Sequence, residues 1–233
     1  MKKRSHVFFL FSLLVFNLFL TDAYADNSTL DMRISESTDL MDEIMQMPES
    51  SIPSKLLTNA SAIAIFPSMI KGGFVFGGSF GRGVVLHFDK NTLRWSAPSF
   101  YTIAGGSWGL QIGGQAIDLI LVITNERGMK GLLQDRFTIG GDAAASAGPV
   151  GRNAEAGTDL FLKASILSYS RSRGLFAGIT LKGTAIMPDN KANESYYGRA
   201  VSAEDILMNE KVRPSRKAII LIDKLRKYAR QRM

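Results

Sequence analysis

A chain of 233 residues with 45% hydrophobic content can bury a sizeable core, which excludes disorder as its default state. It holds no cysteine, and this removes thiol nucleophiles, thiolate zinc sites, iron–sulfur clusters and disulfide staples together. Its formal net charge of +7 favours acidic partners, and anionic lipid headgroups rank ahead of nucleic acid among them.

At the N-terminus, Lys2-Lys3-Arg4 reads as a basic leader, residues 7–20 as an apolar run too short to span a bilayer comfortably, and Ala23-Tyr24-Ala25 as a small-x-small cleavage site. The pattern predicts a signal peptide over residues 1–25 and an exported protein, periplasmic or secreted. Without that leader the chain keeps about +5 of net charge and His87 as its one histidine.

Residues 26–60 read as an N-terminal helical segment and residues 61–233 as a β-rich domain, the two expected to fold as one unit. Leu30, Ile34, Met41, Ile44 and Met45 suit one or two amphipathic turns that stop before Pro48, and Ser51-Ile52-Pro53 opens a short helix through Asn59. Strand patterns follow at 62–66, 73–80, 83–88, 93–96, 100–104, 108–113 and 116–123, the last apolar enough to be buried on both faces. Thr124-Asn125 caps a helix through Leu133, and further strands are expected at 140–147, 152–162, 164–171 and 175–184. Beyond Pro188 the pattern returns to helix: a turn at 193–197, an N-cap at Ser202, and a final basic helix over 213–232 with Ala218, Ile222, Leu225 and Ala229 on one face.

Between Ala62 and Gly114, glycine pairs recur among aromatic and β-branched residues, as in Lys71-Gly72-Gly73 and Phe76-Gly77-Gly78-Ser79-Phe80-Gly81-Arg82-Gly83. Glycine weakens a strand, so its repetition predicts bulges, bends and close backbone approach. No dinucleotide or P-loop register occurs among these glycines, which makes them architectural. The expected fold is α+β: a strongly curved, Gly-rich, mainly antiparallel sheet, barrel- or sandwich-like, flanked by N-terminal and C-terminal helices.

Several blocks in order resemble the SYLF family. They are Phe66-Pro67-Ser68 with Gly77-Gly78-Ser79; Trp95-Ser96-Ala97-Pro98; Gly105-Gly106-Ser107; Gly140-Gly141-Asp142; Gly148-Pro149-Val150-Gly151-Arg152; residues 168–178; and Tyr196-Tyr197-Gly198. The resemblance implies a non-enzymatic module that contacts anionic phospholipid membrane surfaces, with actin binding or another protein partner as the alternative. It implies no cofactor and no nucleic acid. Lys182 departs from the family, which usually carries an acidic residue at that position.

Cations beside glycine turns are the candidate lipid contacts: Lys71, Arg82, Arg171 and Arg173, the last two sharing a strand face by their spacing. Against a hydrolase, His87 beside Asp89 lacks a serine elbow, and Asp118 and Asp159 lack paired carboxylates, so no catalytic residue is assigned. Against an outer-membrane barrel, residues 119–123 do not alternate between apolar and polar.

Overall fold

A computed structural model of the chain describes residues 26–47, 51–73, 76–108, 113–150, 164–172, 175–176 and 181–230. The leader over residues 1–25, the strand expected at 152–162 and Arg173 lie outside the described residues.

The described residues open with helix α1 (Asn27–Gln46), far longer than one or two turns. Its buried side, Leu30, Ile34, Met41 and Ile44 among others, keeps helical spacing, and tertiary burial extends it beyond what the sequence pattern demanded. Short α2 (Ser54–Asn59) follows Pro53 as expected and feeds β1 (Ala62–Gly73). Then come β2 (Phe76–Asp89), β3 (Arg94–Trp95), β4 (Ser99–Trp108), β5 (Gly113–Ile123) and α3 (Glu126–Leu132), which Asn125 caps by accepting from the Gly128 amide. β6 (Phe137–Thr138), β7 (Ala145–Ala147), β8 (Ile166–Ser172), β9 (Leu175–Phe176) and β10 (Ala185–Pro188) complete the strands among the described residues. Three helices close the fold: α4 (Asn190–Tyr197), α5 (Ala203–Leu207), capped by Ser202, and α6 (Arg216–Arg230).

Among the described residues the strands form a ten-stranded sheet in the order β6-β10-β4-β2-β1-β5-β8-β7, with β3 on β2 and β9 on β8. It curls into a half-barrel. Pairing is antiparallel except between β7 and β8, which makes the sheet mixed. One face carries Ile63, Ile65, Val84, Leu86, Phe100, Ile120, Val122 and Leu167 against α1, α2 and α6. The other carries Ala64, Phe66, Val85, Tyr101, Ile103, Leu119 and Leu121 against α3 and α5. Burial on both faces explains the unbroken apolar run of β5.

β1 changes register at Phe66-Pro67-Ser68: its pairing slips against β2 between Ile65 and Ile70 and against β5 between Phe66 and Met69. Pro67 has no amide to donate to the ladder, and Ser68 takes a left-handed backbone (φ 50°), so the extra residue is absorbed as a bulge. Beyond it, inward and outward faces exchange parity, putting Met69 in the core and Ile70 outside.

The glycines divide into two kinds. A Cβ at Gly83 would lie 2.0 Å from the Ile65 carbonyl oxygen, an approach that only glycine permits. At Gly106 and Gly114 a Cβ would meet nothing within 4 Å, and at Gly78 only the Gly105 carbonyl at 3.8 Å. Gly83→Ala is therefore expected to cost about 1–3 kcal/mol through overpacking. Gly114→Ala is expected to be neutral or to gain about 0.5–1 kcal/mol from reduced backbone freedom. Urea denaturation of the two variants checks both, and equal loss from each would remove the distinction.

Candidate functional site

Three of the four proposed cations are described, and they do not converge. Lys71 pairs with Ser79 and Gln115 on the face opposite Phe80. Arg82 and Arg171 share the other face and a single transverse row: Thr102 on β4, Arg82 on β2, the bulge on β1, Asp118 on β5, Arg171 on β8.

Arg171 is held where it stands. Its side chain is only 14% exposed, its Nη2 lies 2.8 Å and its Nε 3.2 Å from Asp118 Oδ2, and Nη2 also donates to Glu43 of α1. The other oxygen of Asp118 accepts from the Ser68 amide at 2.9 Å, so one carboxylate joins the bulge to the guanidinium. The two carboxylates raise the Arg171 pKa against the opposing effect of burial, which is the largest single influence on it. This geometry makes Arg171 a clamp between β8, the bulge and α1. Arg171→Ala is expected to destabilise the fold by about 1.5–3 kcal/mol, the worth of hydrogen bonds to charged groups. A double-mutant cycle with Glu43→Ala in chemical denaturation should show coupling between the two, and simple additivity would refute the clamp.

Arg82, by contrast, is exposed and lies 5.6 Å from the centroid of Phe80. Its charge is matched by no ion pair among the described residues, while nearby Arg33 is matched by Asp189 at 3.4 Å and rests over the Phe100 ring.

The strongest concentration of cations is on α6. Its inward side buries Ala218, Leu221, Ile222, Leu225 and Tyr228. Tyr228 donates to Asp42 of α1 at 2.5 Å, and Lys224 pairs with the same carboxylate at 2.6 Å. Its outward side carries Arg216, Lys217, Lys227 and Arg230 together with two exposed aliphatics, Ile219 at 44% and Ile220 at 50%. Asp223 is the acid on this side and pairs with Arg226 at 3.0 Å. At the N-terminal end of α6, Arg199, Lys211 and Arg213 border a cavity of about 470 Å³ and prolong the basic band. Ile219 and Ile220 escaped the sequence reading, although their position opposite Ala218, Ile222 and Leu225 was the available signal.

His87 lies at the other end of the sheet, beside a cavity of about 580 Å³ that Asp89, Glu126, Met129, Leu207 and Glu210 also line. Burial pulls its pKa down, against the opposing influence of Asp89, the Leu207 carbonyl and Glu210, while Lys90 adds to the depression. The unfolded chain takes up a proton near pH 6.5 that folded His87 resists, so stability is lost as pH falls through about 6.5. His87→Gln should flatten melting temperature between neutral and mildly acidic pH, and an unchanged slope would remove His87 as the cause.

The sequence description "Las17-binding protein actin regulator", that of Ysc84, matches residues 104–228, from the middle of β4 nearly to the end of α6. The chain belongs to the Ysc84 family. This is the SYLF family that the sequence blocks resemble. Similar Ysc84-type proteins include SH3 domain-containing YSC84-like protein 1 of Bos taurus, 34% identical over 169 residues, covering 72% of this chain and 49% of that protein. Also similar are an SH3 domain-containing protein of Schizosaccharomyces pombe (35%; 70% and 38%) and LAS seventeen-binding protein 3 of Saccharomyces cerevisiae (36%; 70% and 36%). The chain thus spans about half or less of the length of these relatives. They overturn the expectation of a periplasmic or secreted protein: its Ysc84 relatives are eukaryotic SH3 domain-containing proteins and a Las seventeen-binding protein, and the periplasm is withdrawn as its compartment.

Proposed function

We propose that this chain is a non-enzymatic interaction module of the actin-regulator type, which engages an acidic protein surface through the outward side of α6. The observation that carries the reading is the pairing of Ile219 and Ile220 with Arg216, Lys217, Lys227 and Arg230 on a helix whose other side is anchored in the core. Cations around such a patch speed encounter with an acidic partner, and the aliphatic pair supplies the desolvated centre that an interface needs. Membership of the Ysc84 family and the names of the relatives support a protein partner over a small-molecule substrate.

The same outward side favours a second reading, contact with anionic phospholipid headgroups, because aliphatics ringed by Lys and Arg are also the pattern of a helix lying at a membrane surface. No described helix is long and apolar enough to cross a membrane.

Co-sedimentation of the full chain with actin filaments tests the first reading, and the same assay with neutral and anionic vesicles tests the second. The protein reading expects pelleting with filaments that weakens at high salt and falls about tenfold, or about 1.4 kcal/mol, in the triple variant R216E/K217E/K227E. Filament binding that ignores these substitutions, or none at all, overturns it. Pelleting with anionic vesicles alone, lost in the same variant, would favour lipid.

A further inference from the structure

Beyond α1, on the face of the sheet that α1 covers, β4, β2, β1 and β5 run on with no layer of described residues above them. The cross-strand register there places Ala104, Phe80, Ile70 and Ala116 side by side, and in the next row outward Gly106, Gly78, Gly72 and Gly114. Ile70 is 64% exposed and Phe80 47%. Arg82 stands at the inner edge of this floor, over the Phe80 ring.

For three of the four glycines in the outer row, Gly78, Gly106 and Gly114, no close neighbour among the described residues requires the missing side chain. A Cβ on Gly106 or Gly114 would meet open space, Gly78 has one distant neighbour, and none of the four glycines uses a left-handed backbone. A row without side chains beside a row with a bare aromatic and a bare isoleucine leaves a flat trough into which another backbone can come close. The trough is crossed by four strands spaced about 4.8 Å apart, a width matched by a helix of roughly ten to thirteen residues.

From this geometry we infer a second docking surface, independent of α6: the glycine floor receives an amphipathic helix of a protein partner, apolar toward Phe80 and Ile70 and carrying a carboxylate for Arg82. Charge selects this occupant. Arg82 is the exposed cation at the edge of the floor, it has no counter-charge among the described residues, and its neighbour Arg33 is of like sign. Arg171 at the far end of the same row is already neutralised by Asp118 and Glu43. Among the described residues an incoming carboxylate therefore finds one unpaired cation there, Arg82, and the aromatic beside that cation orients it.

The test pans a displayed library of randomised amphipathic helices on the full chain and, in parallel, on Ile70→Ser/Phe80→Ser and on Arg82→Glu. Exposure of these side chains predicts unchanged melting temperatures, which circular dichroism confirms before panning. The expected outcome is a set of clones that bind the wild-type chain, lose at least tenfold in affinity on the serine variant, and carry an enriched acidic position that becomes basic when selected on Arg82→Glu. Clones without dependence on Phe80, clones without a charge preference, or no clones at all overturn the inference. Two further outcomes also overturn it by naming another occupant: a dimer on sizing columns that the serine variant abolishes, or Phe80-dependent pelleting with vesicles. Since α6 is intact in every variant, loss here leaves the filament assay unaffected, and failure of the two surfaces can be told apart.

Discussion

Everything distinctive about this sheet follows from what happens at Pro67 and Ser68. A residue without an amide and a serine with a positive φ interrupt the central strand, and the break is tolerated because Asp118 takes up the Ser68 amide while Arg171 and Glu43 hold Asp118 in place. The bulge divides β1 into two halves of opposite parity. The first half is sandwiched between two apolar layers, Ile63 and Ile65 on one side and Ala62, Ala64 and Phe66 on the other. The second half has one face uncovered by the described residues, and Ile70 rather than Met69 points out of it. Without the register slip, Ile70 would face the other core and the floor beside Phe80 would not exist.

The same clamp shows why a cation beside a glycine-rich strand is a poor guide to a ligand. Arg171 and Arg82 looked equivalent in sequence, each next to strand residues and near glycines. In the fold one is closed in by two carboxylates from β5 and α1, while the other has an aromatic under it and like charge nearby. The difference depends on which strands become neighbours. Asp118 is 53 residues from Arg171 in the chain, and nothing local to either foretells that they meet.

What could be read directly from the chain were features carried by short-range chemistry. The Asn125 and Ser202 caps, the short helix after Pro53, the double burial of β5 and the inward side of the last helix all follow from residues within a few positions of one another. The extent of α1 is not legible locally because its polar residues Ser37, Thr38 and Arg33 are buried: the two hydroxyls donate to carbonyls four residues earlier within α1, and Arg33 reaches Asp189 beyond it. The glycines were legible as a group and illegible as individuals. Gly83 and Gly114 occupy similar sequence surroundings, yet one is forced by a carbonyl 2.0 Å from its missing side chain and the other faces open space.

Placing α1 between the two exposed surfaces gives the helix more than a packing role. Asp42 on α1 binds Lys224 and Tyr228 of α6, and the adjacent Glu43 binds Arg171 at the bulge. Consecutive carboxylates thus tie the same helix to the basic helix on one side and to the Arg171 clamp at the bulge on the other. Each tie is a charge-assisted hydrogen bond, stronger than a neutral one and intolerant of displacement by a helical turn. The two surfaces share no residue, and α1 stands between them, holding the basic helix through Asp42 and the clamp at the inner edge of the floor through Glu43.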